Sequence, residues 1–167
     1  TKNEILQDCR TPPEIDRQSL PYPLGPRPCF CGTIYGSPAA LGCRIPMKVC
    51  ILSDSHDHIA LIDAAVGDAK AAGAEAILHC GDLVAASTLH CLEKYGLPVH
   101  IIHGNNTGDL YALTRLAHKP GGVVRFHGMD AGIELAGKRI FQVHYPHYAH
   151  AMAATGDWDL VCCGHDH

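Results

Sequence analysis

The sequence predicts an α/β fold, because strand-like and helix-like segments alternate along most of the chain. Short apolar runs typical of buried strands recur from residue 49 onward, and segments with apolar residues at helical spacing separate the first four of them. Strands separated by helices favour a parallel sheet built from crossover units. Two later runs are joined by the turn Ala136-Gly137-Lys138, which predicts a hairpin and therefore an antiparallel addition to the sheet.

Each predicted element has its own signal in the sequence. The strands are expected at 49–52, 76–80, 99–103, 123–126, 132–135, 139–143 and 159–163. The helices are expected at 58–72, 85–95, 108–118 and about 147–155. Gly73 and Gly96 stop the first two helices, and Pro120 stops the third, because these residues commonly follow the last turn of a helix.

Composition and charge exclude several classes of protein. The 167 residues are enough for one domain with a hydrophobic core. The net charge of −4 gives no basic footprint, so we expect no nucleic-acid partner. No apolar run approaches the ~20 residues of a membrane helix, and no secretory signal is visible. Nine cysteines, several of them inside apolar runs, predict reduced thiols and hence a cytoplasmic protein.

Residues 1–46 differ from the rest of the chain. They contain eight of the eleven prolines and show no sustained apolar period. Proline-rich sequence disfavours helices and central strands. We therefore expect residues 1–46 to be a disordered or non-native extension, and the folded domain to occupy residues 47–167, because the first strand begins near Met47.

Polar side chains follow five of the apolar runs, where the strands are predicted to end. They are Asp54 and His56, then Asp82, then Asn105, then His144, and finally His165 and His167. Sites in open α/β sheets form beyond the carboxyl ends of the strands, so we expect these side chains to converge if the runs lie side by side. Carboxylate, amide and imidazole groups without thiolate are typical of a metal site and favour two metals.

Four of these residues also have an ordinary structural interpretation. Asp54 and Asp82 could cap helices, and Asn105 could be a turn residue. His144 could be a buried histidine of the core. Their placement at successive strand ends favours the interpretation as ligands for all four.

Two features of the motifs add detail. Asp82 is the only carboxylate at its strand end, so it is the natural residue to bridge two ions ~3.5–4 Å apart. Gly81 permits the tight turn that aims Asp82. His165 and His167 flank Asp166, so both should point to the same side of an extended segment.

The complete series of motifs resembles a known superfamily. In order it is Asp54-x-His56, Gly81-Asp82, Gly104-Asn105-Asn106, the lone His144 and Gly164-His165-x-His167. This series resembles the calcineurin-like metallophosphoesterase superfamily, and it is most similar to the small bacterial and archaeal phosphodiesterase branch. The resemblance covers residues 47–167. It implies two packed mixed β-sheets flanked by helices, a metallophosphoesterase-like sandwich. Similar proteins continue beyond the last motif, so we expect this domain to be incomplete at its C-terminus.

The resemblance also divides the ligands between two divalent metal ions. One ion would take Asp54, His56, Asp82 and His167. The other would take Asp82, Asn105, His144 and His165. Manganese is the first expectation for both ions, with iron, zinc and nickel as alternatives. A hydroxide that bridges the two ions would be the nucleophile.

The expected catalytic residues are Asp82, Asn105 and Asn106. Many members of the superfamily carry a histidine at the position of Asn106, where it can protonate the leaving group. Asparagine has no titrating proton to give. His58, His103 and His147 lie near the ligand segments and are candidates for partial replacement.

The sequence therefore predicts a cytoplasmic, dinuclear-metal phosphoesterase that acts as a phosphodiesterase on a small phosphate ester. Association with a membrane is not expected, and a homo-oligomer is left open. The alternative is a non-catalytic protein-interaction scaffold of the same fold, similar to the retromer subunit. Capable side chains at all seven ligand positions favour the enzyme. A metal-dependent nuclease is a third interpretation, but the chain lacks the basic groove that it would need.

Overall fold

The first of two β-sheets is mainly parallel. The computed structural model describes the backbone of residues 29–34 and residues 47–166 in full. The strands of the first sheet, in spatial order, are β1 (Cys29–Ile34), β2 (Met47–Leu52), β3 (Ala74–His79), β4 (Val99–Ile101) and β5 (Val124–Phe126). β2 to β5 pair in parallel, and β1 pairs antiparallel with β2 at one margin of the sheet.

Helical segments connect the parallel strands. The segments are α1 (Ile59–Ala71), a 3₁₀ turn (Ala86–Thr88) that runs into α2 (Leu89–Glu93), and α3 (Leu110–Ala117). They follow β2, β3 and β4 respectively, so the three predicted crossover units are confirmed. The second helix is shorter than the predicted 85–95, because its first turn forms as 3₁₀ helix and its α-helical part has only five residues.

The second sheet has three strands in the described part of the chain. They are β6 (Asp130–Leu135), β7 (Lys138–Val143) and β8 (Leu160–Cys162). β6 and β7 form the predicted antiparallel hairpin, and β8 pairs in parallel with β7 after α4 (Pro146–Ala154). No helix among the described residues has both the length and the apolar character needed to cross a bilayer.

The two sheets pack face to face, with helices on their outer sides. Because side chains alternate along a strand, β2 and β3 serve two cores. Cys50 and Ile77 pack with residues of α1, α2 and α3. Val49 and Leu78 face the other way and pack against Ile140 of β7. The outer face of β7 and β8 packs against α4. The molecule is thus the predicted sandwich of two sheets flanked by helices.

The ligand-bearing runs are divided between the two sheets. Runs ending near Asp54, Asp82 and Asn105 belong to the first sheet, and those ending near His144 and His165 belong to the second. The five runs therefore do not lie side by side in a single sheet. The chain leaves the first sheet after β5, and the left-handed backbone of Gly128 (φ 90°) lies in the link to β6. The strand ends still meet, because the sheets face each other.

β1 is a strand that the sequence analysis did not place. All six of its residues pair with β2, from Cys29 opposite Leu52 to Ile34 opposite Met47. Residues 29–34 contain no proline, which makes this pairing compatible with the proline-rich sequence around them. The rest of the expected extension over residues 1–46 lies outside the described residues.

Five cysteines lie in residues 47–166, and all are free thiols. Cys50, Cys80 and Cys162 are buried, whereas Cys91 and Cys163 are half-buried. The burial of Cys50, Cys80 and Cys162 agrees with the expectation of packed thiols.

Candidate metal centre

The loops that carry the expected ligands have a strained backbone. Seven non-glycine residues in residues 47–166 have a left-handed φ, namely Asp54, His56, Asp57, Asp82, Val84, His165 and Ala136. The first six lie in ligand-bearing loops, and only Ala136 lies elsewhere, in the β6–β7 turn. A left-handed φ is uncommon outside glycine and clusters at functional sites. The backbone alone therefore marks this edge of the sandwich as special.

Three ligand atoms from the first sheet form one group. One donor atom each from Asp54, His56 and Asp82 lies within 4.8 Å of the other two. His56 Nε2 is 3.5 Å from Asp82 Oδ2. Asp82 is only 2% exposed, whereas His56 reaches the surface. Two carboxylates and an imidazole at this spacing fit one divalent cation.

A second group joins the two sheets. Asn105 Oδ1 is 2.9 Å from His144 Nε2 and 3.0 Å from His165 Nδ1. The two imidazole nitrogens are 3.3 Å apart, and His144 Nε2 is 3.6 Å from Asp82 Oδ1. Asp82 thus lies between both groups, with one oxygen facing each. This arrangement suits the bridging role that the sequence predicts for it.

The orientation of His144 is set by a backbone carbonyl. Its Nδ1 lies 2.8 Å from the carbonyl oxygen of Cys80, and only Nδ1–H can donate there because a carbonyl oxygen only accepts. Nε2 is then turned toward Asp82 and Asn105. The ring is 1% exposed, so it has little freedom to turn away. Metal-binding histidines are commonly held in this way.

Gly81 and Gly104 are required by the close approach of ligand side chains. A Cβ on Gly104 would lie 2.1 Å from Asp82 Oδ1 and 2.8 Å from the ring of His144. A Cβ on Gly81 would lie 2.5 Å from His144 Nδ1. Gly81, which precedes Asp82, and Gly104, which precedes Asn105, therefore each make room for a ligand side chain from a different strand.

His165 is fixed to the first sheet through its backbone. Its N–H donates to Asp54 Oδ2 at 2.9 Å, which links the loop after β8 with the loop after β2. A Cβ on Gly164 would lie 2.5 Å from the same oxygen. This contact brings the last ligand motif against the first one.

Asn106 holds the carboxylate of Asp82. Its backbone N–H donates to Oδ1 at 2.8 Å, and its side-chain Nδ2 donates to Oδ2 at 2.6 Å. Burial raises the pKa of Asp82, but these two hydrogen bonds, with the charges of His144 and His56, outweigh burial and leave the pKa below its usual value. The carboxylate is therefore ionised at neutral pH. No local pattern indicates this role of Asn106, because the contact joins it to a residue 24 positions away in the chain.

A buried pair of polar side chains, Ser55 and His79, supports the loop that carries Asp54 and His56. Ser55, between Asp54 and His56, has its Oγ 2.9 Å from His79 Nε2. His79 is fully buried, and burial lowers its pKa to about 4, so the ring is neutral. A histidine at the end of a buried strand was visible in the sequence, but nothing there indicated its partner.

The other histidines near the site have structural contacts. His58 caps α1, with its Nδ1 accepting from the N–H of Leu61. The carboxylate of Asp57 does not cap this helix and accepts instead from the N–H of Ala85 and the hydroxyl of Thr88. His103 Nδ1 lies 3.0 Å from the carbonyl oxygen of Gly104.

Tyr145 is a residue near the site that sequence reasoning missed. Its ring centroid lies 5.2 Å from that of His144 and 5.1 Å from that of His165. The ring of His147 is 5.7 Å away on the same side. Tyrosine directly after a ligand histidine was the one available signal.

Six of the seven expected metal ligands thus meet at one edge of the sandwich. They are Asp54, His56, Asp82, Asn105, His144 and His165. His167 lies outside the described residues. The donor set of carboxylate, amide and imidazole groups fits divalent transition metals.

Comparison with known proteins identifies the family. Residues 47–167 match the calcineurin-like phosphoesterase superfamily domain. The chain belongs to the calcineurin-like phosphoesterase superfamily. It is therefore a metal-dependent phosphoesterase, as the sequence predicted.

Known phosphoesterases resemble the chain. Phosphodiesterase MJ0936 of Methanocaldococcus jannaschii is 28% identical over 125 residues, which cover 72% of this chain and 74% of the relative. The solved structure of an archaeal phosphodiesterase is 26% identical and has a TM-score of 0.65, with 72% of this chain and 74% of that chain covered. The structure of Yfce, a phosphoesterase from E. coli, is 18% identical over 60% of this chain and 59% of its own, with a TM-score of 0.48.

Proposed function

We propose that the protein hydrolyses phosphodiesters at a centre of two divalent metal ions that share Asp82. The observation that carries the proposal is the position of Asp82 between two groups of donor atoms, one 3.5 Å away at His56 and one 3.6 Å away at His144. The names of the relatives support the choice of a diester, because two of them are phosphodiesterases.

The proposed ligand sets follow the two groups. Asp54, His56 and Asp82 would hold one ion, and His167 is proposed to complete that set. Asp82, Asn105, His144 and His165 would hold the other. When bound, the ions would supply positive charge for the phosphate oxygens and a bridging hydroxide as nucleophile near neutral pH. Manganese is proposed first because oxygen and imidazole donors without thiolate suit it, with iron, zinc or nickel as alternatives.

The protein's own residues prepare this centre. Asn106 keeps Asp82 ionised and correctly turned, and Cys80 fixes the tautomer of His144. Because the side chain of Asn106 is engaged with Asp82, it offers no proton to a leaving group. A general acid contributes typically ~10²–10⁴-fold to such reactions. Cleavage should therefore depend on how well the leaving group departs unaided.

The proposed substrate is a small phosphodiester in the cytoplasm. The net charge of −4 disfavours a nucleic acid as partner, since nucleic-acid binding depends on clustered positive charge. The proposal applies to a monomer and equally to a homo-oligomer.

The test combines metal analysis with a leaving-group series. Protein loaded separately with manganese, iron, zinc and nickel is examined for bound metal per chain, then for turnover of aryl and alkyl diesters and monoesters. We expect two ions per chain, preference for diesters, and a steep dependence on the leaving group's pKa. Asn106→His introduces an imidazole and should make that dependence shallower; because it also removes the hydrogen bond to Asp82 Oδ2, the comparison uses only protein that still binds two ions per chain.

Two outcomes would contradict the proposal. Tight metal binding without turnover of any ester would favour the scaffold alternative. A shallow leaving-group dependence in the native enzyme would show that another residue is the acid. His58, His103 and His147 would then be replaced one at a time.

A further inference from the structure

The two histidines that the second sheet contributes to the metal centre are held in different ways. His144 is 1% exposed, and its Nδ1–H donates to the carbonyl oxygen of Cys80, so its ring has little freedom. His165 is exposed. Its backbone N–H is bound to Asp54, but that hydrogen bond does not fix the direction of the side chain. Because ordering a free side chain costs entropy, the ring of His165 needs a further contact if it is to be in place before an ion binds.

Tyr145 supplies this contact. Its ring centroid lies 5.1 Å from that of His165 and 5.2 Å from that of His144, and the two histidine rings are 5.0 Å apart. The three interplanar angles are 68°, 73° and 72°, so each ring meets the other two edge to face. Aromatic pairs prefer this arrangement at centroid distances of about 4.5–7 Å. The N–H of Gly164 also donates to the carbonyl oxygen of His144 at 3.0 Å, which joins the segments that carry the rings.

The main chain of Tyr145 is itself fixed. Pro146 opens α4, and a proline restricts the residue before it to extended conformations. Tyr145 accordingly has φ −88° and ψ 127°. Its carbonyl oxygen accepts from the N–H groups of Tyr148 and Ala149 at 3.1 and 3.0 Å. The ring is therefore attached to a rigid section of backbone and can act as a support.

Capping of α4 does not account for the side chain of Tyr145. Residues preferred at the N-cap are Ser, Thr, Asp and Asn, whose side-chain oxygen accepts a hydrogen bond from the first turn. Tyr145 is at the N-cap of α4 but makes no such bond with its side chain. Its ring contacts are with His144, His165 and His147, of which the first two are proposed ligands.

We propose that Tyr145 is a positioning residue for the metal ion assigned to Asp82, Asn105, His144 and His165. Its ring holds the exposed imidazole of His165 beside that of His144, so both ligands are in place before the ion binds. This inference rests on the proposed function, because it assumes that a second ion is bound. It adds that loss of the ring should weaken this ion and leave the ion at the ends of β2 and β3 unaffected.

The test measures both manganese affinities of the full chain by calorimetry. His56→Gln and His165→Gln show which binding step belongs to which ion. Tyr145→Leu keeps an apolar side chain but removes the ring, and it should weaken the step that His165→Gln affects by about tenfold, the lower end of the usual effect of residues that orient ligands. The other step should not change. Tyr145→Phe keeps the ring and should bind both ions as the native protein does.

Turnover gives a second measurement. At limiting manganese, Tyr145→Leu should be slower than the native protein, and raising the manganese concentration about tenfold should restore its rate, since only metal affinity is reduced. A damaged fold would not be rescued in this way.

Tyr148→Leu is the matched control. Tyr148 lies in the first turn of α4, but its ring meets that of Phe141 at 5.7 Å between centroids. Its replacement should leave both affinities unchanged. If the melting curve of metal-free Tyr145→Leu shows that it does not fold, Tyr145→Gln takes its place with the same expected result.

The outcomes separate this inference from the proposed function. If the native protein binds fewer than two ions per chain, the proposed function fails and the inference fails with it. If the native protein binds two ions and Tyr145→Leu binds both as tightly, only the inference is wrong. Equal weakening of both ions would also overturn it, and so would a loss in Tyr145→Phe as large as that in Tyr145→Leu, because neither result can come from the ring beside His165.

Discussion

The two edges of the β-sandwich are built differently, although the same strands run between them. Where the parallel strands end, six non-glycine residues have a left-handed φ and the carboxylate of Asp82 is buried. Where they begin, turns take a positive φ at glycines such as Gly73 and Gly96, and Ala136 is the one non-glycine residue there within residues 47–166. Charge at that edge stays near the surface, as in the ion pair of Lys138 and Asp159.

The difference shows that energetically unfavourable backbone conformations are concentrated at the ligand edge. A residue in a sparsely populated region of φ and ψ costs about 1–3 kcal/mol and persists only when its surroundings hold it. At the ligand edge, the N–H of Asp54 donates to the carbonyl of Gly81, and that of His56 donates to the carbonyl of Asp82. These bonds between loops hold the strained backbone. The opposite edge has ordinary turns and needs no such support.

Asp82→Asn should have the largest effect, because both proposed ions would lose a charged oxygen. We expect loss of at least one bound metal and a fall in turnover of more than roughly a hundredfold, since even residues that only orient ligands cost 10–100-fold. Elemental analysis and steady-state kinetics measure the two effects. Asp159→Asn at the opposite edge is the control and should retain both metals. Full metal content in Asp82→Asn would disprove the bridging role.

Comparing Gly104→Ala with Gly96→Ala should distinguish steric crowding of the site from backbone strain. The new Cβ would collide with Asp82 and His144, so we expect weaker metal binding by about 10–100-fold and a lower melting temperature. Gly96→Ala is the matched change at the opposite edge, where φ is 67° and nothing lies within 4 Å. It should cost about 1–2 kcal/mol of stability and leave metal affinity unchanged. Equal metal affinity in both variants would refute the argument.

His79 predicts a pH dependence of stability in the metal-free protein. Its pKa is lowered to about 4 by burial, whereas the unfolded chain binds that proton near the usual 6.5. Stability that is present above pH 6.5 should therefore be lost as pH falls toward 4, by no more than about 3 kcal/mol. In urea unfolding at several pH values, the free energy of unfolding of His79→Gln should change less with pH than that of the native protein. His90→Gln is the control, because His90 is exposed. If the unfolding free energy of His79→Gln varies with pH as steeply as that of the native protein, His79 is not the source of the pH dependence.

Removal of residues 1–46 should have the smallest effect on the ligand edge. None of the proposed ligands lies there, so a chain that starts at Met47 should bind metal as well as the longer chain. A second chain that starts at Cys29 keeps β1, so comparing the melting temperatures of the two isolates the pairing of β1 with β2. Loss of metal binding in the shorter chain alone would show that β1 supports the site.

Local signals explain the success of the sequence-based prediction of the fold. The crossover units and the β6–β7 hairpin follow from apolar periodicity and turn residues, which act over a few positions. β1 could not be predicted in this way, because its six residues were set among prolines and its pairing depends on β2. The 3₁₀ start of the second helix likewise depends on Asp57, which bonds to Ala85 from another loop.

The sequence by itself determined which residues are the candidate metal ligands, because Asp, Asn or His close behind an apolar run is a local pattern. Tertiary structure alone decided how those residues are held. Asn106 donates to Asp82 once β3 and β4 have paired, and His144 donates to the carbonyl oxygen of Cys80 once the two sheets have packed face to face. Such contacts join residues far apart in the chain, and their geometry depends on strand pairing and sheet packing, which periodicity does not encode.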